Sequence, residues 1–228
     1  MSLVSGRASD LFAPDVRDQS SDTEMESRFS GARVTLAGFS LGACRALRFA
    51  AARPHRIEHI HLIAPAGPLE LGDFLGQMAG GPIFRMARDH PSFFNLATRV
   101  QSIVAHIAPD FFARQVFASS QGKDAPLAAD AAFRRRWSVA ARQCLARGAQ
   151  AYRAEIAAYV RPWGDLLDRV TAPVTIWYGT ADTWVPPAMA DAMANRLPNV
   201  ACVRQIMDGS HYSTLAAALP HIMGAEAA

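Results

Sequence analysis

Three residues in this sequence have the types and surroundings that nucleophilic chemistry requires: Ser40, His211 and Asp182. A serine hydroxyl attacks a carbonyl only when a base takes its proton, and a histidine base needs an acid to fix its tautomer. Ser40 lies in Gly38-Phe39-Ser40-Leu41-Gly42, directly after the apolar run 33–37. Leu41, Cys44, Leu47 and Ala51 follow at helical spacing, which predicts a helix over 41–52. A strand must therefore turn abruptly into a helix at the serine. Glycines at both flanks let the two elements pass closely, and the helix N-terminus aims free N–H groups at the group under attack.

Asp182 stands in "GTADTWVP", just past a predicted strand at 174–178, and His211 in "DGSHYS", just past another at about 200–207. Parallel strands place their C-terminal ends on one sheet edge, so the three residues can converge there. Asp208, three residues before His211, is a rival acid but too near in sequence to reach across the imidazole. His59 and His61 share one face of the strand predicted at 57–63. They are a possible metal pair, but no third ligand is in view, so packing or solvent exposure is the plainer reading. Trp163, Trp184 and the aromatics of the middle segment fit either an acyl or aryl pocket or ordinary core.

The elements that must position these residues alternate, strand then helix, at both ends of the chain. Further helices are predicted at 187–197 and after Ser213. Such alternation implies an α/β fold with a mostly parallel sheet covered on both faces. Between residues 68 and 165 the pattern is helical only and rich in aromatics, which predicts an insertion at one end of the sheet.

Composition narrows the function classes. The chain has 228 residues, half of them hydrophobic, and a net charge of +3 with Lys123 as its only lysine. The run Arg134-Arg135-Arg136 could hold phosphate, but a solvated helix face is the favoured reading, so no nucleic-acid partner is expected. Cys44, Cys144 and Cys202 lie far apart, without the spacing of a disulfide framework or metal site. No apolar run approaches a membrane span, and the N-terminus lacks a signal-peptide pattern, so a cytoplasmic location is expected. The chemistry needs no metal or organic cofactor.

Taken together, "LAGFSLG", "GTADTWVP" and "DGSHY" resemble the elbow, acid loop and histidine loop of the α/β-hydrolase superfamily, and "APDVRDQSS" resembles the loop after its fourth strand. The resemblance runs from about Phe12 to the C-terminus. It implies an α/β-hydrolase core over 1–67 and 166–228 with a helical lid over 68–165. It also makes Ser40 the nucleophile, His211 the general base, Asp182 the orienting acid and the Leu41 N–H one oxyanion donor. The implied activity is a carboxylesterase-like serine hydrolase acting on a small-molecule ester or related acyl compound through an acyl-enzyme. Members of the superfamily carry three more strands before the segment that residues 11–15 resemble, and a glycine-rich loop there gives the second oxyanion N–H. Their absence predicts an N-terminally truncated fold in which strand 33–37 is either a sheet edge or paired with a strand at 10–13, with a helix at 23–29. An open edge there would permit a homodimer. It also keeps an alternative open: a catalytically weak or inactive interaction protein.

Overall fold

The apolar runs at the two ends of the chain form one five-stranded sheet. It is seen in a computed structural model that describes residues 2–5, 33–146 and 149–224. Strands β1 (Ser2–Ser5), β2 (Val34–Phe39), β3 (Ile57–Ile63), β4 (Val174–Gly179) and β5 (Val200–Ile206) lie side by side in chain order. β2 to β5 are parallel, and β1 runs antiparallel to β2. β2 and β4 are buried along almost their whole length, as a strand covered on both faces must be, whereas β5 is the exposed edge.

Helices α1 (Gly42–Ala52) and α8 (Pro187–Arg196) cover one face, where Leu47, Ile60, Leu62, Ile176, Met189 and Met193 are fully buried. The last helix, α9 (His211–Met223), covers the other face with a smaller cluster of Phe39, Ile63, Trp177 and Ala218. Between β3 and β4 the described residues form six α-helices: α2 (Gly81–Asp89), α3 (Pro91–Ile107), α4 (Pro109–Val116), α5 (Asp124–Ala129), α6 (Ala131–Cys144) and α7 (Gln150–Tyr159).

Three expectations need correction. The serine strand is not an edge: β1 takes that position, with Ser2 opposite Gly38 and Ser5 opposite Thr35. The ladder spans four residues, and the segments at 10–13 and 23–29 lie outside the described residues. The final helix begins at His211 rather than after Ser213, because the Ser213 hydroxyl accepts the Ser210 N–H and so closes the first turn earlier. The arginine run is not one solvated face. Arg134 is buried, bonded to Asp110 and to the Ala128 and Ala129 carbonyls, and it ties α4 to α6, while Arg135 and Arg136 are exposed.

His59 and His61 tie β3 to β4. His59 Nε2 meets Thr175 Oγ1 at 2.8 Å, and Trp177 Nε1 donates to His61 Nδ1 at 3.4 Å. No group of three or more metal-ligating side chains forms among the described residues. Burial, reinforced by His59 and Arg204, pushes His61 from its ordinary 6.5 down to about 4. Burial also lowers His59. The unfolded chain binds the His61 proton near pH 6.5 and the fold refuses it until about pH 4, so stability falls as pH drops through that window. His61→Gln should make the melting temperature less sensitive to acid between pH 6.5 and 4; an unchanged slope would refute this account.

Gly38 sets how close β2 and α1 can come. A Cβ there would lie 2.7 Å from the Ala43 Cα and 2.8 Å from the Gly42 carbonyl oxygen, both backbone atoms. Gly38→Ala should cost about 1–3 kcal/mol, read as a melting temperature lowered by several degrees.

Candidate active site

The C-terminal ends of the parallel strands are nearly level. Phe39 pairs with Ile63, Ile63 with Trp177, and Gly179 with Ile206. Three of the four exits from this edge each carry one member of the candidate triad. Ser40 is the first residue after β2, Asp182 follows β4, and His211 follows β5.

Ser40 holds a left-handed conformation, φ 55°, which a non-glycine residue adopts only under constraint. The constraint is backbone hydrogen bonding. The Ser40 N–H donates to the Ile63 carbonyl at 3.0 Å, and its own carbonyl accepts from Ala43 N–H at 3.0 Å and Ala66 N–H at 3.1 Å. Neighbouring β3 and the start of α1 thus fix the turn. Among the described residues no carbonyl accepts the Leu41 N–H, so it remains available beside the serine.

Asp182 and His211 are paired. Asp182 Oδ2 lies 2.9 Å from His211 Nδ1, with both side chains only 2% exposed. The other oxygen, Oδ1, accepts the Trp184 N–H at 2.8 Å and the Val185 N–H at 3.0 Å. A buried carboxylate is costly without such donors. The loop "DTWV" supplies two of them and leaves the second oxygen for the imidazole. That pairing makes Nδ1 the protonated nitrogen and Nε2 the acceptor. Asp208, the rival, is exposed, and its backbone N–H donates to Thr180 Oγ1.

The imidazole is walled by aromatics. The Phe39 ring, next to Ser40 in sequence, centres 4.6 Å from it, and the Trp184 ring stacks on it at 5.5 Å and 11°. Tyr212, Phe117, Phe133 and Trp137 extend the cluster, and Trp137 Nε1 donates to the Tyr212 hydroxyl at 2.7 Å. No hydrogen bond joins the Ser40 hydroxyl to His211 among the described residues. Trp184 and Phe117 therefore belong to the site. Trp163 does not: it sits at the return of the helical insert, its backbone N–H bonded to Glu70.

One positioning residue escaped the sequence reading. Asp124, at the start of α5, is 1% exposed and accepts the Tyr212 N–H at 2.8 Å and the Ser213 N–H at 2.7 Å. A carboxylate from the insert thus caps the helix that begins with His211. The neighbouring chain is anchored too: the Lys123 N–H donates to the Asp208 carbonyl, and Gly122, at φ 52°, lies where a Cβ would sit 2.5 Å from that same oxygen. Asp124 and the helix it caps are 88 residues apart, so local pattern gave no signal.

The mostly parallel sheet, its strand order and the helices on both faces define a fold class, and known proteins share it. The model of the alpha/beta hydrolase fold family matches residues 23–215, and the chain belongs to that family. Among solved structures it is similar to a bromoperoxidase from Bacillus anthracis, with 17% identity, TM-score 0.62, and coverage of 88% of this chain and 69% of that one. It is also similar to a hydrolase from Oleispira antarctica, with 16% identity, TM-score 0.59, and coverage of 89% and 70%. A thermophilic esterase from Thermogutta terrifontis gives 20% identity, TM-score 0.56, and coverage of 89% and 66%. These identities establish the shared fold alone. A search by sequence among proteins of curated function gave no match. Among the described residues no helix is long and apolar enough to cross a membrane.

Asp124→Ala should remove the cap from α9, costing about 0.5–2 kcal/mol of stability. An unaltered melting temperature would show that the carboxylate does not hold the histidine helix.

Proposed function

We propose that this protein is a serine hydrolase that cleaves an ester or related acyl bond through Ser40, His211 and Asp182. The observation that carries the reading is the buried Asp182–His211 pair at 2.9 Å, on the same sheet edge as the strained Ser40 turn. Ser40 Oγ attacks the carbonyl carbon while His211 Nε2 takes its proton. Asp182 holds the resulting imidazolium, and the Leu41 N–H bonds the developing oxyanion. His211 then gives the proton to the leaving alcohol, and water hydrolyses the acyl-enzyme by the same steps in reverse roles.

Two features of the site support this assignment. Trp184 stacks flat on His211 and fixes the plane of its ring. The Trp184 Nε1–H is buried and has no acceptor among the described residues, which leaves a donor for a bound acyl group. The helical insert 68–165 acts as the lid in this reading, because its Phe117, Phe133 and Trp137 close over the histidine loop.

Hydrolysis of p-nitrophenyl acetate or butyrate tests the chemistry, and a fluorophosphonate probe tests the serine without assuming a substrate. The wild type should label and turn over. Ser40→Ala and His211→Ala should each lose roughly 10³-fold or more in kcat, while Asp182→Asn should keep more activity than either. Wild-type turnover by Ser40→Ala would overturn the assignment. A wild type that neither labels nor turns over would favour an interaction protein that keeps the triad without the activity.

A further inference from the structure

Helix α3 (Pro91–Ile107) carries a row of large apolar side chains on the side away from the molecule. Phe93 is 67% exposed, Leu96 59%, Val100 51%, Ile103 58% and Ile107 77%. Their spacing alternates three and four residues along the whole helix. The opposite side holds Phe94, Thr98 and Ala105, which are buried against the insert. The helix is therefore apolar on both sides, and only one of them has a partner among the described residues.

The shape of the row says what fits it. A three–four row of large side chains is the seam along which two helices pair. Ala97 and Val104, both half-buried, widen the apolar surface on one flank, and Ala97 leaves room for a second helix to approach closely. We propose that α3 is a self-association surface: two copies of this chain pair their α3 helices antiparallel across a two-fold axis. In the antiparallel arrangement Val100 of each copy meets Ile103 of the other, and Leu96 meets Ile107, so the seam is complementary to itself. The opposed directions also align the helix dipoles favourably.

The area is adequate. From the exposed fractions, and about 60–120 Å² per aliphatic or 150–250 Å² per aromatic side chain, the five residues offer roughly 250–450 Å² of apolar surface per copy. A standard interface buries about 800 Å² per partner, of which roughly 450–500 Å² is apolar. The seam alone provides at least half of that, and the polar flanks with Arg99 and His106 form the rim. This surface is separate from β1, which occupies the sheet edge where association had been expected.

Sedimentation of the full chain across the micromolar range, with two single-charge variants, tests the proposal. The wild type should be a dimer. Val100→Glu and Ile103→Lys each bury an unpaired charge at the seam and should raise the dissociation constant roughly a hundredfold or more, leaving monomers. Both positions face solvent in the single chain, so circular dichroism and melting should show each variant folded. Mixing the two variants should restore a dimer, because the Glu and Lys meet in one layer while Ile103 and Val100 meet in the other. A monomeric wild type would overturn the proposal. So would a dimer that survives either substitution, or a mixture that stays monomeric, since only the antiparallel seam brings these two positions together.

Discussion

Everything at the site depends on how closely β2 and α1 pass at Gly38. With the Ala43 Cα 2.7 Å from where a side chain would begin, the strand can deliver its last residue directly into the helix. Ser40 is left at φ 55°, a conformation that costs of order 1–3 kcal/mol and survives only where surrounding structure insists on it. Ile63 and Ala66, both from β3 and its exit, supply the insistence through hydrogen bonds to the serine backbone. The strain is therefore held by the parallel pairing of β2 with β3 together with the start of α1, whose Ala43 N–H bonds the Ser40 carbonyl. The consequence is a hydroxyl raised above the sheet edge, with the Leu41 N–H beside it.

The histidine is held differently. His211 begins a helix, and two carboxylates act on that point from different parts of the chain. Asp182, from the loop after β4, takes the imidazole; Asp124, from the helical insert, takes the N–H groups of Tyr212 and Ser213. Both acids are buried, and each is satisfied chiefly by backbone donors. In the proposed reaction the insert does more than cover the site, since removing it would uncap the helix whose first residue is the base.

Much of this was legible in the sequence, and the reasons are physical. The parallel strands and their flanking helices follow from apolar runs bounded by glycine and proline, and β3 at Ile57–Ile63 coincides with its predicted run. The elbow could be read because a strained turn leaves a local demand for small residues on both sides of the serine. Asp182 could be preferred to Asp208 because reach, not residue type, separates them. What escaped was long-range. Asp124 looks like any helix-start acid until the fold brings α5 to α9. Arg134 reads as surface in a run of arginines, yet it finds Asp110 and two carbonyls inside the insert. Ser2–Ser5 is too short for periodicity to register, and only the waiting ladder of β2 makes it a strand.

The two halves of the molecule also differ in how their apolar surface is disposed. Along the sheet almost every large side chain is covered from both faces, leaving Val203 and Met207 exposed at the β5 edge. The two ends of the insert join the main core through Phe84, Phe94, Ile156 and Tyr159, its middle holds a separate small cluster of Ala105, Leu145 and Ala149, and α3 turns five large side chains outward. Helices with fewer buried apolar contacts gain less from burial than the sheet does and open more readily. Pairing two α3 helices would add burial to that outer side of the insert. It would also steady the segment that carries Asp124, and with it the start of α9. The self-association surface and the histidine are then linked through one physical quantity, the order of the insert, although no seam residue touches the site.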